Sequence, residues 1–157
     1  MSRTALNVPR WAVTSSFLLS LVGLGLSVYM TIAHFDGTQI LACPTNSVLN
    51  CAVVTTSAQS YFLGMPVALL GLGNFTVMAA LNSPWGWRAK PYWLHVARFV
   101  IAIGAMVFIL WLIGAELLII NHICLWCTGV HIVTFALLIV LSLVCPTQLG
   151  WARSVAE

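Results

Sequence analysis

The sequence predicts an all-α integral membrane protein, a four-transmembrane-helix bundle with an outer loop and a short surface helix between helices one and two. Three observations predict it. Of 157 residues, 61% are hydrophobic and 6% charged, with a mean hydropathy of +1.03. The surface of a soluble domain needs about a quarter of its residues charged. Four segments, Trp11 to His34, Tyr61 to Leu81, Leu94 to Ile120 and Ile123 to Cys145, each meet the roughly 20 apolar residues that cross about 30 Å of hydrocarbon. All six Lys and Arg residues fall on one side of a four-span path. Residues 1–157 read as a single membrane domain, and the net charge of +3 gives no basis for nucleic-acid binding.

The elements follow in order. Helix one is preceded by Arg3 and Arg10, as a secretion signal would be, but its apolar core is too long and no small-x-small cleavage site follows. It reads as an uncleaved anchor whose far end is marked by His34 and Asp36. The loop from Phe35 to Ser60 holds Cys43 and Cys51, separated by Pro-Thr-Asn-Ser-Val-Leu-Asn, a stretch that bends rather than continuing a helix. Ala52 to Ser60 is moderately apolar and free of Pro, and is expected to form a short surface helix that lids the bundle.

Helix two ends at a Trp-rich linker, where Trp85, Trp87 and Trp93 suit an interfacial aromatic belt and Arg88 and Lys90 supply charge. Arg98 stands near the start of helix three and Arg153 follows helix four. Gly23, Gly25, Gly64, Gly71, Gly73, Gly104 and Gly114 suit close helix packing in lipid. The positive-inside rule makes the basic side cytoplasmic, so both termini are expected there, in a multi-pass inner (plasma) membrane protein. The Phe35 to Ser60 loop and the turn near Asn121 then face the oxidising side, where disulfide chemistry belongs.

Cys124-Leu125-Trp126-Cys127 opens the last helix at that boundary. Two thiols three residues apart lie on one helix face, about 4.5 Å apart along the axis by the 1.5 Å rise, within reach of a disulfide. The helix N-terminus favours a thiolate. Cys124 is expected nearer water and Cys127 nearer lipid, so electrons would enter at Cys124 and leave from Cys127. Two inert disulfides stapling the loops are an alternative. A four-thiolate zinc site is another, although the first pair lacks the two-to-four-residue spacing of structural zinc ligands. Cys145, at the other end of helix four, reads as a small buried residue.

Two loop cysteines after helix one, Ser57 six residues after the second, Phe62 to Pro66 (Phe-Leu-Gly-Met-Pro) at helix two, and a Cys-x-x-Cys opening the last helix resemble the vitamin K epoxide reductase (VKOR) family over almost the whole chain. The resemblance implies a quinone-dependent thiol-disulfide oxidoreductase. It would take electrons from a separate thioredoxin-like (DsbA-like) exported protein and pass them to a membrane quinone of the menaquinone, ubiquinone or phylloquinone type. It implies that Cys43 meets the partner, Cys51 passes electrons to Cys124, and Cys127 stands beside the quinone ring, with Ser57 among the catalytic residues. Each transfer is a thiolate attack on a disulfide, which needs a mobile loop.

Animal members that reduce vitamin K epoxide carry Tyr where this chain has His131, and Asn where an ungapped reading gives Ser60. Trp126 and His131 look more like bacterial members that make disulfides in exported proteins, and the chain ends soon after helix four without the fused thioredoxin domain of some of these. Quinone reduction also consumes two protons. His131, one turn below Cys127, and Glu116, inside helix three, are therefore expected at the quinone pocket together with Ser60. The alternatives are a reductase whose useful product is the quinol or de-epoxidised quinone, and a non-catalytic membrane scaffold or metal-binding protein.

Overall fold

Pro66 and Gly64 decide where the second apolar segment becomes helical. In the computed structural model, which describes residues 8–37, 40–43, 46–89 and 91–148, Tyr61 to Pro66 is a hairpin and not the first turns of a helix. Strands β1 (Tyr61–Phe62) and β2 (Met65–Pro66) pair antiparallel, Tyr61 opposite Pro66 and Phe62 opposite Met65. The two-residue loop between them has positive φ at Leu63 (52°) and Gly64 (80°), the signature of the turn whose twist matches paired strands. Phe62 seats the hairpin on the later helix α5 (Tyr92–Ala115), its ring 5.3 Å from that of Phe108 and 6.1 Å from that of Trp111. The expected start of helix two at Tyr61 is corrected to Val67, because apolarity alone does not separate a Tyr-Phe-Leu strand from a helix.

The remaining elements are α1 (Arg10–Asp36), α2 (Cys51–Thr56), a 3-10 turn (Ala58–Ser60), α3 (Val67–Asn82), α4 (Pro84–Arg88), α5 (Tyr92–Ala115) continued by a π-helical stretch (Glu116–Ile120), and α6 (Leu125–Gln148). The expected Ala52 to Ser60 surface helix is thus shorter, starts at Cys51 and breaks at Ser57. Arg10–Asp36, Tyr92–Ile120 and Leu125–Pro146 are long and apolar enough to cross a membrane, and the protein sits in a lipid bilayer. At 16 residues α3 rises about 24 Å, short of a full hydrocarbon core.

Helix α1 buries Ala12, Ser16, Ser20, Gly23, Ser27, Met30 and Ala33, a stripe of mostly small residues at intervals of three and four. Such a stripe lets helix backbones approach where lipid offers no hydrophobic drive to associate. A Cβ at Gly23 would stand 2.1 Å from the Phe75 ring of α3, and one at Gly71 would stand 3.2 Å from Ser27 Oγ. Gly25, Gly73, Gly104 and Gly114 have no such neighbour within 4 Å, so the close-packing role expected of them is confined to Gly23 and Gly71. The hydroxyls of Ser16 and Ser20 bond within their own helix, to Val13 O at 3.2 Å and to Ser16 O at 2.7 Å, and so cost little to bury.

At the end away from the cysteine motif, Ser83 caps α4 by accepting the Gly86 N–H at 3.0 Å. Trp87 is buried there, its indole N–H donating to Ser16 Oγ at 3.2 Å. Arg98, near the start of α5, is completely buried. Its guanidinium lies 3.7 Å from the centre of the Trp87 ring, bonds to His95 Nδ1 at 2.9 Å, donates to Leu81 O and rests against Cys145. Delocalised charge and stacking suit arginine to such a site. Of the expected interfacial tryptophans, Trp85 and Trp93 are exposed and Trp87 is not. Arg3, Lys90 and Arg153 lie outside the described residues.

Candidate functional site

The turn at Asn121, whose φ of 55° is one that Asn tolerates better than most residues, ends the π-helical stretch and feeds the chain back into α6. Ile123 then pairs in parallel with Leu49 of the outer loop: its N–H donates to Val48 O at 2.9 Å and its carbonyl accepts the Asn50 N–H at 3.1 Å. The motif cysteines are thereby laid directly against the segment that leads into Cys51. Cys51 opens α2, which Asn50 caps by accepting the Val53 N–H on its Oδ1 at 3.2 Å.

Cys43 and Cys51 form a disulfide, and Cys124 and Cys127 are free thiols. Cys51 and Cys124 belong to one buried cluster with Met30, Ala33, Leu41 and Val54, and Cys43, Trp126 and Cys127 pack against it. Cys124 is the residue before α6, not part of it. Its sulfur takes the place of a capping side chain, accepting the Cys127 N–H at 3.4 Å, while its carbonyl accepts the Thr128 N–H at 2.9 Å. The Cys127 side chain, hydrogen-bonding to the Cys124 sulfur, holds the Cys124 thiol below its ordinary range. Cys124 is fully buried beneath the loop, and Cys127 is the more accessible of the two, on the side of the cavity described next.

Cys127 looks into a cavity of about 440 Å³, within the few hundred Å³ typical of small-molecule sites. Its walls are almost wholly apolar, from α1, α2, the hairpin, α3, α5 and α6. The polar lining includes Ser57, Ser60, Glu116 and His131. Ser57 Oγ donates to Val54 O and Ser60 Oγ to Ser57 O, each at 2.7 Å, which fixes the break between α2 and the hairpin. Glu116 and His131 are both buried. The Glu116 carboxylate faces the Cys124 backbone N–H and the Cys127 thiol. It is carried by the π-helical stretch, a distortion frequent at functional sites. Glu116 and His131 also line a second cavity of about 410 Å³ between α5 and α6, so they stand in the wall separating the two.

Gln59, Asn74 and His34 reach the first cavity too. Of these, only His34 stands out in the sequence, as the mark of a helix end. Position gave no clue to Gln59, because it enters the cavity only once the chain after α2 folds back into the hairpin. His34 is brought there by Tyr61, whose hydroxyl lies 3.2 Å from His34 Nε2.

A helical membrane protein with a disulfide and a dithiol packed together at the mouth of an apolar cavity belongs to the membrane oxidoreductases. Residues 15–142 match the model of the Vitamin K epoxide reductase family, well over half the chain, and the protein is a member of that family. No curated protein matches it.

Proposed function

We propose that the protein carries electrons from a thioredoxin-like exported protein through Cys43–Cys51 and then Cys124–Cys127 to a membrane quinone, forming disulfides in the partner. The observation that carries this reading is the shared burial of Cys51 and Cys124 beside a cavity onto which Cys127 opens. A partner thiolate attacks Cys43 Sγ and Cys51 leaves as a thiolate; the partner's second thiolate then attacks the partner sulfur of that mixed disulfide, releasing the Cys43 thiolate and leaving the partner oxidised and the loop pair reduced. The loop pair then reduces the helix pair. In the last step the two helix thiols become a disulfide, and their two electrons and two protons convert quinone to quinol. Cys124 and Cys127 as thiols, with Cys43 and Cys51 joined, is the state that precedes that step.

The cavity's apolar walls suit a quinone ring and the start of its tail, and Glu116 and His131 are the groups we assign to proton delivery and ring hydrogen bonding. Ser57 and Ser60 hold the cavity roof. In the bilayer α3 and the hairpin before it together make the fourth crossing. The basic residues then lie on the cytoplasmic side with both termini, and the cysteines outside.

Purified protein mixed with a reduced thioredoxin-like protein and a series of quinones should consume thiols only when quinone is present, read from quinone absorbance. Thiol loss that ignores quinone would exclude the reading, and so would no loss with any quinone. His131→Ala should raise the KM for quinone by about tenfold, the size of one lost hydrogen bond in a dry site, with a smaller effect on thiol exchange. An unchanged KM would remove His131 from the pocket.

A further inference from the structure

The loop that carries Cys43 is suspended from the cysteine helix itself. Tyr29, on α1, donates its hydroxyl to Ile40 O at 2.8 Å and accepts the Ala42 N–H at 3.1 Å. Trp126, between the two motif cysteines, donates its indole N–H to Ala42 O at 3.2 Å. The two rings pack with centroids 4.6 Å apart. Every one of these bonds falls on the three residues before Cys43. Between the two disulfide cysteines, on the Cys51 side, Val48 and Asn50 are held to Ile123, the residue before Cys124. Both arms of the loop are therefore fastened within two residues of Cys124.

We propose that Tyr29 and Trp126 are positioning residues for electron transfer between the two cysteine pairs, forming a latch that returns the Cys43 arm to the same place after each encounter with a partner. The inference rests on the relay proposed above and assigns it two residues that touch no substrate. In the step they serve, the Cys51 thiolate attacks Cys124 Sγ of the Cys124–Cys127 disulfide and Cys127 leaves as a thiolate. The Cys43 thiolate then attacks Cys51 Sγ, releasing the Cys124 thiolate and restoring Cys43–Cys51. Two electrons pass to the helix pair. Each attack needs the incoming sulfur in line with the bond it breaks, so misplacing the loop by an ångström costs rate without touching the chemistry. The latch is made of single hydrogen bonds, which open and reclose readily, so the loop still meets its partner.

The test uses the fully reduced protein mixed rapidly with excess ubiquinone-1. The wild type should release one quinol in a first phase, from Cys124 and Cys127, and a second in a slower phase that requires transfer from the loop pair. Trp126→Phe keeps the ring and loses the N–H. Tyr29→Phe, on a different helix, loses the hydroxyl. Each should leave the first phase unchanged and slow the second about tenfold. An unchanged second phase in both variants would overturn the latch. So would equal slowing of both phases, because that marks general disruption. A wild type releasing no quinol would instead remove the relay on which the latch depends.

Discussion

Cys127→Ser should abolish quinone reduction, lowering the rate by about three orders of magnitude or more, as loss of a reacting group does. A serine hydroxyl fills nearly the same space beside the cavity but neither ionises at neutral pH nor forms a disulfide. The protein should still fold, because Cys127 is only partly buried and its N–H, which bonds to Cys124 Sγ, is unchanged. Cys124→Ser should fail differently. It removes the thiol packed with Cys51, so no disulfide should link the loop pair to the helix pair, whereas oxidised Cys127→Ser should accumulate a Cys51–Cys124 bond. Peptide mass spectrometry distinguishes the two, and full turnover without either thiol would falsify the relay.

Gly86→Ala should cost about 3 kcal/mol of stability, at the upper end of overpacking substitutions. A Cβ at Gly86 would stand 2.3 Å from Leu81 O and 2.7 Å from Ala80 O, and backbone cannot step aside as a side-chain end does. Leu81 O is also an acceptor for the buried Arg98, and Trp87, next in sequence, carries the ring beneath that guanidinium. Displacing α4 thus uncovers a buried cation, which is costly when its partners move. Gly73→Ala, where nothing lies within 4 Å, is the control and should change stability little. Thermal unfolding in detergent compares them, and equal melting temperatures for both variants would refute the packing argument.

The two substitutions probe parts of the molecule that were unequally legible in the sequence. The Cys-x-x-Cys motif was readable because a helix start, a thiol spacing and a membrane boundary coincide at Cys124 to Cys127. Helices α1, α5 and α6 were readable because their apolar runs are long. Helix α3 was misjudged at its start, since Tyr61 to Pro66 is as apolar as the helix it precedes, although Gly64 and Pro66 carried a turn signal. Arg98 is legible as a charge near the start of helix three, but its burial is not. Its solvation comes from Trp87, His95 and Leu81, on separate elements that only folding brings together.

The sequence by itself determined the membrane class, the thiol motif and the family to which that motif points, because composition and short spacings are local quantities. Tertiary structure alone decided that Cys124 is fully buried with Cys51 beneath the loop. It also brought Ser57 and Gln59 into the cavity wall beside the expected Ser60, Glu116 and His131, and hung the Cys43 arm from Tyr29 and Trp126. These are relations between residues far apart in the chain, fixed by the loop folding back onto Ile123 and by the hairpin closing over α5. No pattern within a single segment encodes them.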